Sequence, residues 1–220
     1  MSQDKQNPML ESFFANITDS NRQVMEQFVN GLSQVKLPNG ELNPFMNMWT
    51  SAAQGAAKMV EMQTNLGKIV VELEAEKAPK TVANFLSYVD DGSYNNSLFH
   101  RVIPGFVAQA GGYNAGFNPL PTNSPVENES ANGLSNRRGT LAMARMSDPN
   151  SATRQFYFNL NDNTSLDANV QPGYTVFGTV VSGLDVLEKI ADEPTSVDPK
   201  LRASDVPTNP IVITKVTRLD

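Results

Sequence analysis

From Thr64 onward, the chain is a series of short runs of β-branched and aromatic residues, and this segmentation limits its fold more than any other feature. Ile69, Val71 and Leu73 lie at alternate positions, which is typical of a strand that buries one face. Clusters of Gly, Pro, Asn and Asp separate the runs, as turns require. The other runs lie at residues 99–103, 106–109, 140–144, 155–160, 174–181 and 211–217.

Two segments show helical spacing instead. Pro79 opens the first, whose apolar residues follow the i, i+3, i+4, i+7 rule as far as Val89, and Gly92 closes it. Apolar residues at the same spacing predict a second helix over 183–191. Many short strands with two helices predict a closed or nearly closed antiparallel β-structure rather than a doubly wound sheet.

Residues 1–62 differ in composition and predict a separate helical extension. They hold seven of the nine methionines and the single tryptophan, Trp49. Apolar residues recur at spacings of three and four from Leu10 to Leu32, and the stretch 45–62 is rich in Ala and Met, which favour a further helix. We therefore predict a helical extension over 1–62 and a β-domain over 63–220. We expect Trp49 to be buried against the β-domain or a second subunit, because a two-helix segment cannot hide so much apolar surface alone.

Composition excludes several classes of site. The chain has no cysteine and one histidine, His100, so disulfides, thiolate nucleophiles and zinc sites are not expected. The net charge of -6 and the lack of a basic block argue against nucleic acid as a partner. The longest apolar run is four residues, 141–144, which is too short for a membrane span or a secretory signal. Unless an upstream segment was removed, a cytoplasmic location is predicted.

The strongest candidate site lies in the segment Phe99–Gly112. On a strand, alternation places Arg101 on one face, and a turn at Pro104 and Gly105 lets Phe106 and Gln109 return beside it. A cation, an aromatic ring and an amide would then share one surface. From the residues alone, a surface arginine and a core phenylalanine explain the pattern at least as well as a site does.

This segment resembles the signature of cyclophilin-type peptidyl-prolyl cis-trans isomerases, and the resemblance covers residues 63–220. The Asn-Gly-Leu and Ala-Met-Ala-Arg forms are similar to the compact bacterial branch of that family. The resemblance implies an eight-stranded antiparallel barrel capped by two helices, acting on X-Pro bonds of peptides and unfolded chains to assist folding, without a cofactor or a metal. The further matching motifs are residues 78–85, 132–134, 138–145, 151–156 and 176–178.

The resemblance also implies roles for individual residues. Arg101 matches the residue that donates to the prolyl nitrogen in the twisted transition state, and Phe106 and Gln109 accompany it as catalytic positions. His100 is expected to be a hydrogen-bonded structural residue, because the reaction moves no proton. The positions implied to bind substrate are Val107, Ala144, Arg145, Gln155, Tyr157, Leu166 and Tyr174.

Four residues depart from the family pattern. Val107 replaces the usual Met and Ala110 the usual Gly, which predicts a slightly reshaped pocket. Tyr157 replaces Phe, so its hydroxyl needs a partner or water. Ser165 stands where an indole or phenyl ring is expected, so we do not expect the cyclosporin binding that the resemblance otherwise implies.

A second function stays open at this point. The chain could be a non-enzymatic module that grips proline segments while residues 1–62 bind a partner protein, an amphiphilic surface or another copy of the chain. Arg101 favours the enzyme, whereas Tyr157 and Ser165 keep the binding module open.

Overall fold

Eight strands close into one antiparallel barrel in the computed structural model, which describes residues 58–219. The barrel strands are β1 (Lys58–Thr64), β2 (Gly67–Leu73), β3 (Ser97–Ile103), β4 (Val107–Asn114), β5 (Thr140–Met143), β6 (Phe156–Asn159), β7 (Val176–Ser182) and β10 (Val212–Arg218). The order around the barrel is β1, β10, β3, β4, β6, β5, β7 and β2, and β2 pairs with β1 to close the ring. The predicted mainly β fold with a closed barrel is confirmed.

Strand β1 begins at Lys58, before the predicted domain boundary. Residues 58–62, which we predicted to end a helix, are strand, and the boundary between Met62 and Gln63 falls inside β1. Val60 and Met62 are fully buried in the core. Pairing with β2 on one side and β10 on the other overrides the helix propensity of the Met-rich sequence. The barrel domain therefore starts about five residues earlier than the sequence suggested.

Helix α1 (Pro79–Asp90) packs its apolar face on the barrel core. Proline at its first turn and the buried Phe85 and Val89 agree with the prediction. The Phe85 ring lies 5.6 Å from that of Phe156 and 5.2 Å from that of Phe177, centroid to centroid. Aromatic contacts of this kind fix the helix on the strands.

Helix α2 (Leu184–Asp192) buries Val186, Leu187 and Ile190. Gly183 precedes it with a φ of 96°, and a Cβ there would lie 2.4 Å from the backbone oxygen of Lys68. Only glycine permits this close approach between β2 and the start of α2.

A two-stranded hairpin of β8 (Thr195–Asp198) and β9 (Ala203–Pro207) lies outside the barrel and was not predicted. No helix among residues 58–219 has both the length and the apolar character needed to cross a bilayer. The predicted helices of the extension, the environment of Trp49 and any self-association through the extension lie outside the described residues.

Candidate active site

Strands β3 and β4 bring Arg101 and Gln109 side by side. The two residues are partners in the antiparallel register, and Arg101 Nη1 lies 3.4 Å from Gln109 Oε1. Gln109 Nε2 donates to Gln155 Oε1 at 2.8 Å, which continues the row onto the start of β6. The turn between the strands has Gly105 at a φ of 72°, and Phe106 N donates to Ile103 O at 3.0 Å. The predicted return of Phe106 and Gln109 beside Arg101 therefore occurs.

These side chains border one cavity of about 250 Å³. Nine of the ten predicted site residues line it, and the tenth, Gln155, reaches it through its hydrogen bond to Gln109. The lining residues are Arg101, Phe106, Val107, Gln109, Ala144, Arg145, Tyr157, Leu166 and Tyr174. Residues that are up to 73 positions apart in the sequence meet because β3 to β7 are neighbours in the barrel.

The inner wall of the cavity is apolar. Val107 and Tyr157, with Ala142 and Val176 behind them, form a buried cluster separate from the main core. Partly buried Phe106 and other apolar residues pack against this cluster. A ring-sized apolar ligand fits such a wall, while the row of Arg101, Gln109 and Gln155 offers donors and acceptors on another side.

The hydroxyl of Tyr157 has the partner that its position requires. It donates to Asn136 Oδ1 at 2.8 Å, and burial raises the pKa of the phenol, so it stays protonated. Asn159 Nδ2 donates to the same oxygen at 3.1 Å. The polar atom introduced by Tyr157 therefore points away from the cavity, into a buried amide network.

That network extends to the loop that carries Leu166. Asp167 Oδ1 accepts from Asn136 N at 2.7 Å and from Asn136 Nδ2 at 2.9 Å, and Ser135 Oγ donates to Asp167 Oδ2. Burial opposes the charge on Asp167, but the hydrogen bonds from Ser135 and Asn136 outweigh it and lower its pKa. The network fixes the loop and, through it, one wall of the cavity.

Asn163 connects the network to the turn between β3 and β4. Its Nδ2 donates to Phe106 O at 2.8 Å and to Asn159 Oδ1 at 2.9 Å. Sequence reasoning missed Asn136, Asn159 and Asn163. Asn136 and Asn163 lie between strands, where asparagine also marks ordinary turns, and Asn159 is the last residue of β6.

Arg145 stacks on Tyr174 at the rim of the cavity. Its guanidinium carbon lies 4.4 Å from the ring centroid. Its nitrogens donate to the carbonyl oxygens of Met146 at 2.9 Å, Pro172 at 3.2 Å and Gly173 at 3.3 Å. The side chain is thus held in place by neutral groups, and its charge faces no carboxylate in these contacts.

His100, next to Arg101 in β3, is buried and lies outside the cavity lining. Its ring packs edge-on against Tyr113, with centroids 4.8 Å apart. Burial and the charge of Arg101 lower its pKa to about 4. The buried position agrees with a structural residue, but the expected hydrogen bonding is wrong for Nδ1, which has no partner among the described residues.

The two remaining residues that depart from the family pattern, Ala110 and Ser165, do not line the cavity. Ala110 is fully buried in β4. Ser165 lies exposed in a short 3₁₀ helix, Thr164–Leu166, and does not line the cavity, although its neighbour Leu166 does.

Comparison with known proteins places this chain in a family. The family described as cyclophilin type peptidyl-prolyl cis-trans isomerase/CLD matches residues 59–218. A peptidyl-prolyl cis-trans isomerase of Acinetobacter baylyi is 52% identical over 147 residues, which cover 66% of this chain and 78% of that protein. Peptidyl-prolyl cis-trans isomerase B of Escherichia coli is 46% identical over 163 residues, which cover 72% of this chain and 98% of that protein.

Solved structures agree. A crystal structure of a Cryptosporidium parvum cyclophilin type peptidyl-prolyl cis-trans isomerase superimposes with a TM-score of 0.62 at 26% identity, covering 74% of this chain and 98% of that one. A second structure of the C. parvum protein, determined in the presence of the dipeptide Ala-Pro, has a TM-score of 0.61 at 27% identity and covers 74% and 99%. The barrel, the matched family and the relatives together show that this chain belongs to the cyclophilin-type peptidyl-prolyl cis-trans isomerases.

Proposed function

We propose that the cavity beside Arg101 is where this peptidyl-prolyl cis-trans isomerase rotates X-Pro bonds of peptides and unfolded protein chains. The observation that carries the proposal is the juxtaposition of a polar row with an apolar wall. Arg101 and Gln109 lie 3.4 Å apart on one side of the cavity, and the cluster containing Phe106 and Tyr157 forms the other. A proline ring needs the wall, and its amide nitrogen needs the cation.

The chemistry follows from the nature of the amide bond. Resonance gives the peptide bond a rotational barrier of about 18–20 kcal/mol, and an X-Pro bond takes tens to hundreds of seconds to rotate unaided. As the bond twists, the prolyl nitrogen becomes pyramidal and gains a lone pair. Arg101 donates a hydrogen bond to this nitrogen, which opposes resonance and stabilises the twisted state. A 10⁴–10⁵-fold acceleration needs about 5.5–7 kcal/mol of such differential binding.

The remaining residues hold the substrate while the bond turns. Phe106, Val107 and Leu166 contact the ring, and the amides of Gln109 and Gln155 hold the peptide backbone. The hydrogen bond from Gln109 to Gln155 Oε1 supports this role, because it aligns the two amides before any substrate binds. The backbone of Ala144 and Arg145 accepts the residue before the proline. The described residues give no support to the non-enzymatic alternative.

Arg101→Ala tests the mechanism. In an isomerisation assay on an Ala-Pro-containing model peptide, we expect kcat/KM to fall by about 10²-fold or more, because one donor to the transition state is lost. Circular dichroism and Tm should stay near wild type, since the side chain is only half buried. Arg138→Ala, which removes an exposed arginine paired with Glu188, is the matched control and should keep full activity. Full activity in Arg101→Ala would overturn the mechanism.

We also propose a role for the extension, a location for the protein and weak cyclosporin binding. The chain before Lys58 is a separate extension that binds a protein partner or another copy of the chain. Sedimentation of the full chain, compared with that of residues 57–220, would test this.

A cytoplasmic location rests on the short apolar runs and the lack of a secretory signal in the sequence, and cell fractionation would test it. Weak or absent cyclosporin binding rests on the exposed Ser165, and titration of wild type against Ser165→Trp would test it.

A further inference from the structure

The charge of the substrate pocket is opposite to that of the protein. The full chain carries a net charge of -6, yet the cavity is lined by two arginines and by no Asp or Glu. Among residues 58–219, neither Arg101 nor Arg145 has a carboxylate within ion-pair distance, whereas the arginines at 137, 138 and 218 each do. No carboxylate of this part of the chain therefore neutralises either pocket cation.

Two acidic side chains close to the pocket are engaged elsewhere. Asp167 follows the wall residue Leu166, but its oxygens accept from Ser135 and Asn136 behind the wall. Glu127 shares the lining of a neighbouring recess with Arg145, and it is paired with Lys80. Neither carboxylate neutralises the guanidinium at the rim.

The two arginines occupy different positions in the pocket, and we assign them different roles. Arg101 lies in the polar row with Gln109 and is the cation for the prolyl nitrogen. Arg145 lies at the rim, stacked 4.4 Å from Tyr174 and held by three carbonyl oxygens. A guanidinium fixed in this way loses little side-chain entropy when an anion binds. The entropic cost therefore does not offset the electrostatic attraction between the guanidinium and the anion.

We propose that Arg145 makes this pocket favour prolines flanked by an acidic residue, whose carboxylate it binds. The inference rests on the function proposed above and deepens it by naming a substrate class. Glu and Asp side chains supply the carboxylate, which the positive charge attracts and which accepts from the one Nη1 hydrogen that no backbone carbonyl takes. Because the pair lies at a partly solvated rim, the gain is modest, about two- to fivefold in affinity over a neutral residue. A lysine in the same place is disfavoured.

Two peptide series test this inference. The first is Ala-Xaa-Pro-Phe and the second Ala-Ala-Pro-Xaa, with Glu, Gln or Lys as Xaa. For each peptide, kcat/KM is measured by isomerisation and the dissociation constant by titration. We expect the order Glu, Gln, Lys in at least one series, with Glu over Gln by about two- to fivefold at low salt and less at 1 M salt, where charges are screened beyond about 3 Å.

Variants of Arg145 test whether this residue causes the preference for Glu over Gln. Arg145→Gln should bring the Glu-to-Gln ratio close to one, and Arg145→Lys should restore part of it because the charge returns. Lys189→Gln removes the same charge from α2, outside the pocket lining, and should leave the ratio as in wild type. Equal values for Glu and Gln in both series, or a preference that persists in Arg145→Gln, would overturn the inference.

A failure of the proposed function gives a different result. If no peptide is isomerised, the assignment of catalysis to this pocket is wrong. The dissociation constants, which need no turnover, still decide whether Arg145 selects acidic peptides.

Discussion

At the scale of single residues, the pocket depends on side chains that never touch its cavity. Tyr157 supplies a wall through its ring, while its hydroxyl is bound to Asn136 in the layer behind. The resemblance predicted which residues would meet in the pocket, because those residues lie in recognisable motifs. It did not predict Asn136 or Asn163, because a buried amide and a turn asparagine have the same appearance in a sequence. Their partners are 21 and 57 positions away in the chain.

Tyr157→Phe measures the hydrogen bond behind the pocket. The free energy of unfolding should fall by about 1 kcal/mol, since one buried hydrogen bond is lost while Asn136 Oδ1 keeps the bond from Asn159. This corresponds to a Tm lower by about 2–4 °C. Activity should stay near wild type, because the ring remains. Tyr113→Phe is the matched control, as its hydroxyl has no hydrogen bond among the described residues, and an equal loss in both variants would contradict this account.

His100 makes stability depend on pH. Its pKa is about 4 in the folded protein against an ordinary value of 6.5, so the unfolded chain binds the extra proton first as pH falls. The contribution is complete above pH 6.5 and is lost as pH falls towards 4, by about 3 kcal/mol in all. His100→Phe keeps a ring against Tyr113 and should remove this part of the pH dependence. Urea unfolding at pH 7 and pH 4.5 measures the free energy of unfolding of both proteins. The same loss of stability between the two pH values in wild type and His100→Phe would refute the prediction.

At the scale of elements, β1 and the β8–β9 hairpin are strands that the hydrophobic periodicity of the sequence did not predict. Strands with clear alternation, such as β2, were predicted from sequence, and so were both helices. β1 was missed because Met-rich sequence favours a helix locally, and only its two neighbours in the barrel make it a strand. The hairpin was missed because β8 buries none of its residues fully, so it has no apolar period to detect.

The start of α1 depends on a residue that is distant in sequence. The N-cap residue, Ala78, has no side-chain cap, and Glu129 supplies one instead. Its carboxylate accepts from Lys80 N at 3.0 Å, Thr81 N at 2.8 Å and Thr81 Oγ1 at 2.6 Å. The cap satisfies amides that would otherwise lack partners, and it anchors the loop before β5 to the helix.

Glu129→Ala should therefore destabilise the barrel by about 1–2 kcal/mol, the usual cost of losing a helix cap. Chemical denaturation measures the loss. Glu127→Ala, two residues earlier, removes an exposed partner of Lys80 and should cost less than about 0.5 kcal/mol. If the two variants lost the same stability, Glu129 would not be acting as a cap.

At the scale of the whole molecule, the barrel closes through strands from the two ends of the described chain. Val60 pairs with Arg218 and Met62 with Val216, and Leu219 N donates to Met59 O at 3.0 Å. β1 is the one barrel strand that lies between β2 and β10 and pairs with both. Removing it opens the ring and exposes two strand edges at once.

Two truncations test where the domain begins. Residues 57–220 keep all of β1 and should unfold cooperatively and isomerise model peptides as the full chain does. Residues 63–220 lack the fully buried Val60 and Met62 and should be insoluble or lose their cooperative transition. Thermal melts and the peptide assay measure both. A stable, active 63–220 fragment would show that β1 is dispensable.

The pairing of β1 with β10 also sets a minimum time between the synthesis of β1 and the closure of the barrel. About 150 residues separate the paired positions, and a ribosome adds about 5–20 residues per second, so β1 waits on the order of 10 s or more for its second neighbour. During that interval one edge of β1 is without its partner. The barrel therefore closes only after β10, the last of its strands, has been made.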